Sequence, residues 1–583
     1  GGADWSCHGC EGFKIVKANH YQASFDILSE LPSDAYEYGS RSSGETHGVV
    51  LTKPHVVSLI LDLAGYTVDR DLTKLCLLEP SCGEGAFLVP AVERLLTVAS
   101  HAGINVADLP SPIAGFDIDR NHVASARRAV AMSLQAHGFD AQSAATLAER
   151  WIQLGDFLLR PERRRFEVIV GNPPYVRIEQ LSAQLQTEYR KRYRSLYDRA
   201  DLYVAFIERG LQLLSSEGVL SFICADRWIV NKYGAPLREM LTESFRVACY
   251  VDLHSASPFE SEVIAYPSIF SVTPGTGGAV QVCSLSTASR EECEAVLPAL
   301  SAGASSCTGV SVARYDSWFS GTEPWIITSP RHLHALRSLE SRFLAIEATG
   351  QTRVRIGVAT GDDSTYIVGE DADIEADRLV PLVMRSDIDK GQIRDARRFV
   401  INTFCDDGGV VDLRDFPRLA RHFKTHEVDV RRRHVSQKNP SSWFRTIDRV
   451  YPQLVCTPKL LVPDIAGANE VVFERGRFHP HHNLYFITSE EWDMEVLGGL
   501  LSSRVALFFV WSYAVKMRGG YLRFQAQYLR RIRLPAADDI SADMAAAIRS
   551  AFRERAFGRL DELALDAYSL EELPEFDFVD TRE

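Results

Sequence analysis

Between residues 48 and 272 short β-branched or apolar runs alternate with longer helical stretches, and this alternation constrains the fold more than any other feature of the chain. It is the pattern of an α/β domain, a mostly parallel sheet wound with helices. Strands are predicted at "LCLLEP" (75–80), "IAGFDI" (113–118), "FEVIVGN" (166–172), "GVLSFICA" (218–225) and "VACYVDL" (247–253), with helices at 54–63, 86–101, 121–137 and 200–214. In such sheets ligands bind beyond the carboxyl ends of the strands, so the residues just after each strand are where chemistry is expected.

Those positions hold a consistent set. "LLEPSCGEGAFL" (77–88) puts Glu79 and Pro80 at a strand end, then Gly83 and Gly85 ahead of a helix, where backbone can approach a ligand closely. Asp117 follows the next strand in "GFDID" and suits a ribose diol; Asp156 follows in "LGDFLL" and can accept from an adenine amine. Three acids after three successive strands describe a pocket for an adenosine-bearing cofactor. After the fourth strand comes "GNPPYV". An exocyclic aromatic amine is a poor nucleophile because its lone pair is spread into the ring, and accepting hydrogen bonds from both N–H groups localises that pair. Asn172 supplies a side-chain oxygen, Pro173 a carbonyl on a rigid backbone beside Pro174, and Tyr175 a face for a planar base. The bland alternative, a turn built on a proline pair, does not explain its register with three cofactor positions. The matching electrophile is a methyl sulfonium aligned for in-line displacement.

The ordered set "GVVLTKPHVV", "LLEPSCGEGAFL", "GFDID", "LGDFLL" and "VIVGNPPYV" resembles the γ-class N6-adenine DNA methyltransferases over residues 45–275. The resemblance implies a Rossmann-like fold and S-adenosyl-L-methionine as cofactor. It also implies that Thr52 touches the methionine carboxylate and Glu79 the methionine end, that Asp117 holds the ribose, that Ile118 lies against the adenine with Asp156 at its amine, and that Phe157 lines the pocket. Phe259, in "ASPFESEVIAYPSIF", would stack the flipped base opposite Tyr175. A core aromatic is the competing reading there, and Glu262 departs from the basic residue of related enzymes. The same "NPPY" signature occurs in protein glutamine methyltransferases and some RNA-modifying enzymes, so the polymer must be chosen by the rest of the chain.

At 583 residues the chain exceeds what one core supports. Its character changes after about residue 275, and a boundary is placed near 330. The expected organisation is an N-terminal extension at 1–44, a catalytic domain at 45–330, a mixed α+β domain at 331–539 and a charged helical tail at 540–583. Segments "RVRIGVATGDDSTYIV", "PKLLVPDIAG", "GRFHPHHNLYFITS" and "KMRGGYLRFQAQYLRRIRLP" resemble the target recognition domain of restriction-modification methylases. A net charge of −13 argues against a uniformly basic nucleic-acid binder, but local basic runs stand out. Arg518, Arg523 and Arg530, interleaved with aromatics, together with Arg431 and Arg433, are the expected contacts to double-stranded DNA. A solvated face is the competing reading of such runs.

No metal is expected. His479, His481 and His482 read as a hydrogen-bonded loop, and Cys7, His8 and Cys10 lack a second ligand pair. "VPDIAGANEVVF" echoes a nuclease site but has Val472 where a lysine is needed, and the segment upstream of residue 45 is too short for a nuclease domain, so cleavage is left to a separate cognate restriction endonuclease. Scattered cysteines fit a reducing cytoplasm, and the most apolar late segment, 496–515, is interrupted by Ser502, Ser503 and Arg504, so no membrane span is expected. The leading reading is a site-specific adenine-N6 DNA methyltransferase of a restriction-modification system; RNA adenine methylation, or a non-catalytic DNA-binding scaffold, are the alternatives.

Overall fold

The computed structural model describes residues 50–261, 266–302, 309–316, 318–394, 396–468, 470–514 and 520–580, in two compact units that divide between Ile327 and Thr328. The 1–44 extension with Cys7, His8 and Cys10 lies outside the described residues, as do Glu262 and Arg518.

The first unit is built on a nine-stranded sheet. In chain order its strands are β1 (Leu77–Glu79), β2 (Ile113–Asp117), β3 (Ile152–Leu154), β4 (Phe166–Gly171), β5 (Leu214–Ala225), β6 (Phe245–Asp252), β7 (Pro267–Pro274), β8 (Val280–Leu285) and β9 (Val310–Tyr315). Their order across the sheet is β3-β2-β1-β4-β5-β7-β6-β8-β9. The first five are mutually parallel, β7 runs antiparallel between β5 and β6, and the reversal of winding between β1 and β4 opens the crevice where such sheets bind ligands. Strands covered on both faces read as unbroken apolar runs, and β4, "FEVIVG", is one: only Glu167 escapes full burial.

Helices start where local chemistry dictates. Helix α1 (Pro54–Leu63) opens on a proline, whose missing N–H has no partner to lose in the first turn. Helix α2 (Leu88–Ala102) stops at Gly103, at φ 67°. Helices α3 (Arg120–Ala136) and α4 (Ala141–Trp151) are capped by the Asp119 and Asp140 side chains.

The glycine-rich stretch after residue 275 is a turn, with positive φ at Gly275, Gly277 and Gly278, that carries the chain on to β8 and β9. One expectation is corrected. The terminal helices Ala542–Glu554 and Phe557–Ala567 do not form a separate tail, because they pack on Met494–Leu501 and Arg504–Tyr513 within the second unit. A side chain on Gly498 or Gly499 would collide with Phe552 or Ile548, so these glycines permit the close helix approach. No single helix among the described residues is long and apolar enough to cross a membrane. The rest of the second unit holds two small four-stranded sheets, one ordered (352–356)-(484–489)-(459–463)-(472–474) and the other (367–368)-(399–401)-(379–383)-(479–480).

Candidate active site

Glu79 ends β1 with 2% of its surface exposed, and its Oε2 has no hydrogen-bond partner. Burial first, and the charge of Asp117 second, hold its carboxyl well above the usual glutamate range. Beyond Pro80 the chain turns at Gly83, at φ 50°, whose N–H donates to Asp117 Oδ2 at 2.9 Å and whose missing side chain would point into open space. Gly85 serves packing instead. At φ 98°, its Cβ would sit 3.4 Å from Ala126 of α3, so a bare backbone there lets the loop lie close against that helix.

Asp117 Oδ1 accepts from the Asp119 N–H at 2.9 Å, and Ile118 beside it stands 43% exposed at the strand end. Asp156 is 4% exposed, accepting from the Leu158 N–H at 2.8 Å and from the Tyr189 hydroxyl at 2.6 Å. Phe157, expected at the pocket wall, is buried. It is 2% exposed, with its ring 6.3 Å from that of Phe116 and 5.5 Å from that of Phe206.

At the end of β4 the Asn172 amide is held from a distance in sequence. Its Nδ2 donates to the Val50 carbonyl at 2.9 Å and to Thr52 Oγ1 at 3.3 Å. A carbonyl only accepts, so this bond fixes which way round the amide lies. Oδ1 is therefore the free end: it is buried and has no partner. Ser81 donates to the Asn172 backbone carbonyl at 3.3 Å, joining this loop to the one after β1. Thr52, expected at the cofactor's carboxylate, is 6% exposed and works here as part of the Asn172 clamp. Residues 51–53 also bond to 258–260, through Lys53 N–H to Pro258 O at 3.0 Å and Glu260 N–H to Leu51 O at 2.9 Å.

That ladder delivers Phe259 to Tyr175. The rings meet edge to face, 6.3 Å apart at 85°, which is itself an aromatic contact, so they touch rather than bracket a base. Phe259 is 6% exposed and belongs to the core cluster of the first unit, which favours the core-aromatic reading over a preformed stacking slot. The Tyr175 hydroxyl is buried without a partner, and burial raises its proton affinity well above that of an ordinary phenol.

Sequence reasoning missed what holds Tyr175 from behind. Its ring lies 6.2 Å from that of Tyr203, whose hydroxyl is 2.7 Å from that of Tyr233; Tyr233 in turn donates to Asp201 at 2.9 Å. Leu202 N–H to Val176 O at 2.7 Å and Ile178 N–H to Ala200 O at 3.0 Å lock the chain just after the proline pair. No local motif marks these residues, because Asp201 and Tyr203 precede β5 and Tyr233 follows it.

Residues 112–259 match the Eco57I restriction-modification methylase family. The Type II methyltransferase M.PaeR7I of Pseudomonas aeruginosa is 44% identical over 85% of this chain and 87% of its own length. The Type II methyltransferase M.BstVI of Geobacillus stearothermophilus is 42% identical over 91% of this chain and 97% of its own. This chain belongs to the type II methyltransferases. In structure it resembles the Type IIL restriction-modification enzyme MmeI solved in complex with DNA, with a TM-score of 0.54 over 90% of this chain and 74% of that one; at 13% identity the likeness is one of fold.

The type II methyltransferases act on DNA, and their methyl donor is S-adenosyl-L-methionine. The strand ends of this methyltransferase fit that donor. A buried, unpartnered glutamate oxygen beside a second carboxylate favours a ligand bearing positive charge, and the donor has an ammonium and a sulfonium.

In the second unit of the methyltransferase four of the expected DNA-contacting arginines lie among the described residues, and each makes contacts within the chain. Arg523 pairs with Asp464. Arg530 lies 2.9 Å from Glu347 and also donates to Val354 O at 2.7 Å. Arg431 lies 2.7 Å from Glu427 and over the Trp443 ring. Arg433 is a structural tie, donating to Tyr366 OH at 2.7 Å, Arg445 O at 2.8 Å and Thr360 O at 3.0 Å. The residues of the nuclease echo are likewise engaged, Asp464 by Arg523 and Glu470 by Arg385 at 2.8 Å.

Proposed function

We propose that this methyltransferase transfers the methyl group of S-adenosyl-L-methionine to N6 of an adenine flipped out of duplex DNA, protecting the site from a separate cognate restriction endonuclease. The observation that carries the reading is Asn172: its donor end is bound by Val50 and Thr52, and its acceptor end is buried and unused. An acceptor with nothing else to accept is suited to the N–H of an incoming amine.

The bound cofactor supplies an electrophilic methyl on a sulfonium. Glu79 would take the ammonium end, Asp117 and the Gly83 loop the ribose, Ile118 and Asp156 the adenine. Asn172 Oδ1 and the Pro173 carbonyl would each accept one N–H of the target amine. As both bonds tighten, the lone pair would leave conjugation with the ring and face the methyl; the carbon–sulfur bond would break to leave a neutral thioether as the carbon–nitrogen bond forms, the same acceptors would stabilise the positive charge on nitrogen, and the surplus amine proton would pass to solvent. The rigid φ angles of Pro173 and Pro174 keep that carbonyl from following the base out of line. Tyr175 would hold the base by one face, with Tyr203 supporting the ring from behind.

The reading is tested by expressing the protein in a host lacking adenine methylation and mapping modified bases by single-molecule sequencing. A single recurring adenine motif is expected. Unmodified genomic DNA alongside methylated structured RNA would reject it.

A further inference from the structure

His481 is 2% exposed, yet neither of its ring nitrogens has a hydrogen-bond partner. Buried polar groups are nearly always paired, and one that is not calls for an ion or a water. Asp363 Oδ2 lies 3.0 Å from His481 Nε2, near enough for a hydrogen bond but off the direction of one. His482 lies beside them. The two imidazole rings are 4.0 Å apart, and one ligand atom from each of Asp363, His481 and His482 lies within 4.8 Å of the others.

We propose that Asp363, His481 and His482 form a site for a divalent transition metal of the zinc type, with a further position left to solvent. Two imidazole nitrogens and a carboxylate oxygen make a donor set that zinc binds at about 2.0–2.2 Å. Magnesium and calcium prefer all-oxygen shells and fit it poorly.

The surroundings are those of a supported site. Thr360 donates its hydroxyl to Asp363 Oδ1 at 2.6 Å, orienting the carboxylate while Oδ2 stays beside the ring, as outer-shell partners of metal ligands do. The backbone is pinned by His481 N–H to Val383 O and His482 N–H to Val358 O, each at 3.0 Å. Gly357 lets these segments meet, since a side chain there would collide with the His481 carbonyl oxygen. His479, grouped with these histidines from sequence, takes no part: its Nδ1 lies 3.0 Å from Pro480 O, and its Nε2 accepts from the Tyr451 N–H at 3.4 Å. Asp363, far away in sequence, takes its place.

Cobalt(II) is the probe, because it enters zinc sites and reports its ligands by visible absorption. Chelator-stripped protein is expected to take up one equivalent of cobalt with visible d–d bands, to lose them when zinc is added, and to unfold at a higher temperature with either metal. Two variants guard against a folding defect. His482→Ala removes an exposed side chain, and Asp363→Asn keeps the shape of the carboxylate; both are expected to abolish the bands while the far-ultraviolet circular dichroism stays that of the parent. Absence of the bands in the parent protein, or bands unchanged by His482→Ala, overturns the site. The second result would move the metal elsewhere in the chain, such as the cysteines near the N-terminus.

Discussion

Asn172 and Glu79 carry the chemistry through what they lack. Each has a buried oxygen without a partner, a state that costs about 1–3 kcal/mol and that a ligand can relieve. Asn172→Ala should therefore cut methyl transfer by about a hundredfold or more, while titration calorimetry shows cofactor affinity little changed; turnover above half that of the parent would reject the amine-acceptor role. Glu79→Gln should act oppositely on stability. Because the folded protein holds the Glu79 proton more tightly than the unfolded chain, the stability this gives is complete below the ordinary value of 4.5 and is lost as pH rises through the raised folded value. The ligand-free protein therefore loses that contribution progressively as pH rises above the ordinary value, so the melting temperature of the glutamine variant relative to the parent should rise with pH, with cofactor affinity reduced. A variant less stable at every pH would contradict this. The "NPPY" stretch was legible because its residues are contiguous. Its clamp was not, since Val50 and Thr52 lie some 120 positions away. The partners of the arginines were illegible for the same reason: a basic run does not show that Arg523 has its acid 59 positions off at Asp464.

At the scale of elements, the alternation of strands and helices was readable where strands are buried on both faces, as β1, β2, β4, β5 and β6 are. The three-residue β3 follows α4 with no turn residue between them and carries Gln153, so neither length nor pattern marks it. The addition of β8 and β9 is hidden because a glycine cluster reads alike as a domain boundary and as the turn it forms here. In the second unit, short strands leave little periodicity to read, and what fixes them is partly a sealed ion pair: Lys459 Nζ lies 2.5 Å from Glu474 Oε2, with both side chains at 0% exposure. Removing one partner strands a buried charge. Glu474→Ala should cost about 3–5 kcal/mol, read from urea unfolding of the intact chain, whereas replacing both residues by apolar ones of similar volume should cost far less. Equal losses in the two variants would mean that packing, not charge, holds these strands.

For the molecule as a whole, if the first unit holds the cofactor and the second reads DNA, the two make separate demands that can be tested apart. With Arg523, Arg530, Arg431 and Arg433 engaged internally, we look for phosphate contacts among exposed residues such as Arg353 and Arg355 on the outer strand 352–356. Substituting both by alanine should leave cofactor affinity unchanged and flatten the log-log salt dependence of DNA binding by about one unit for each phosphate no longer neutralised. An unchanged slope would send the search to another face. The claim on which everything rests is that the strand-end site methylates an adenine amine and that Asn172 makes the amine reactive. The direct measurement incubates duplex DNA with tritiated S-adenosyl-L-methionine and either parent protein or Asn172→Ala, digests the DNA to nucleosides and separates them. Label from the parent reaction should run with N6-methyldeoxyadenosine and be all but absent with the variant. Label in a methylated cytosine, or in N6-methyldeoxyadenosine to the same extent with both proteins, would contradict it.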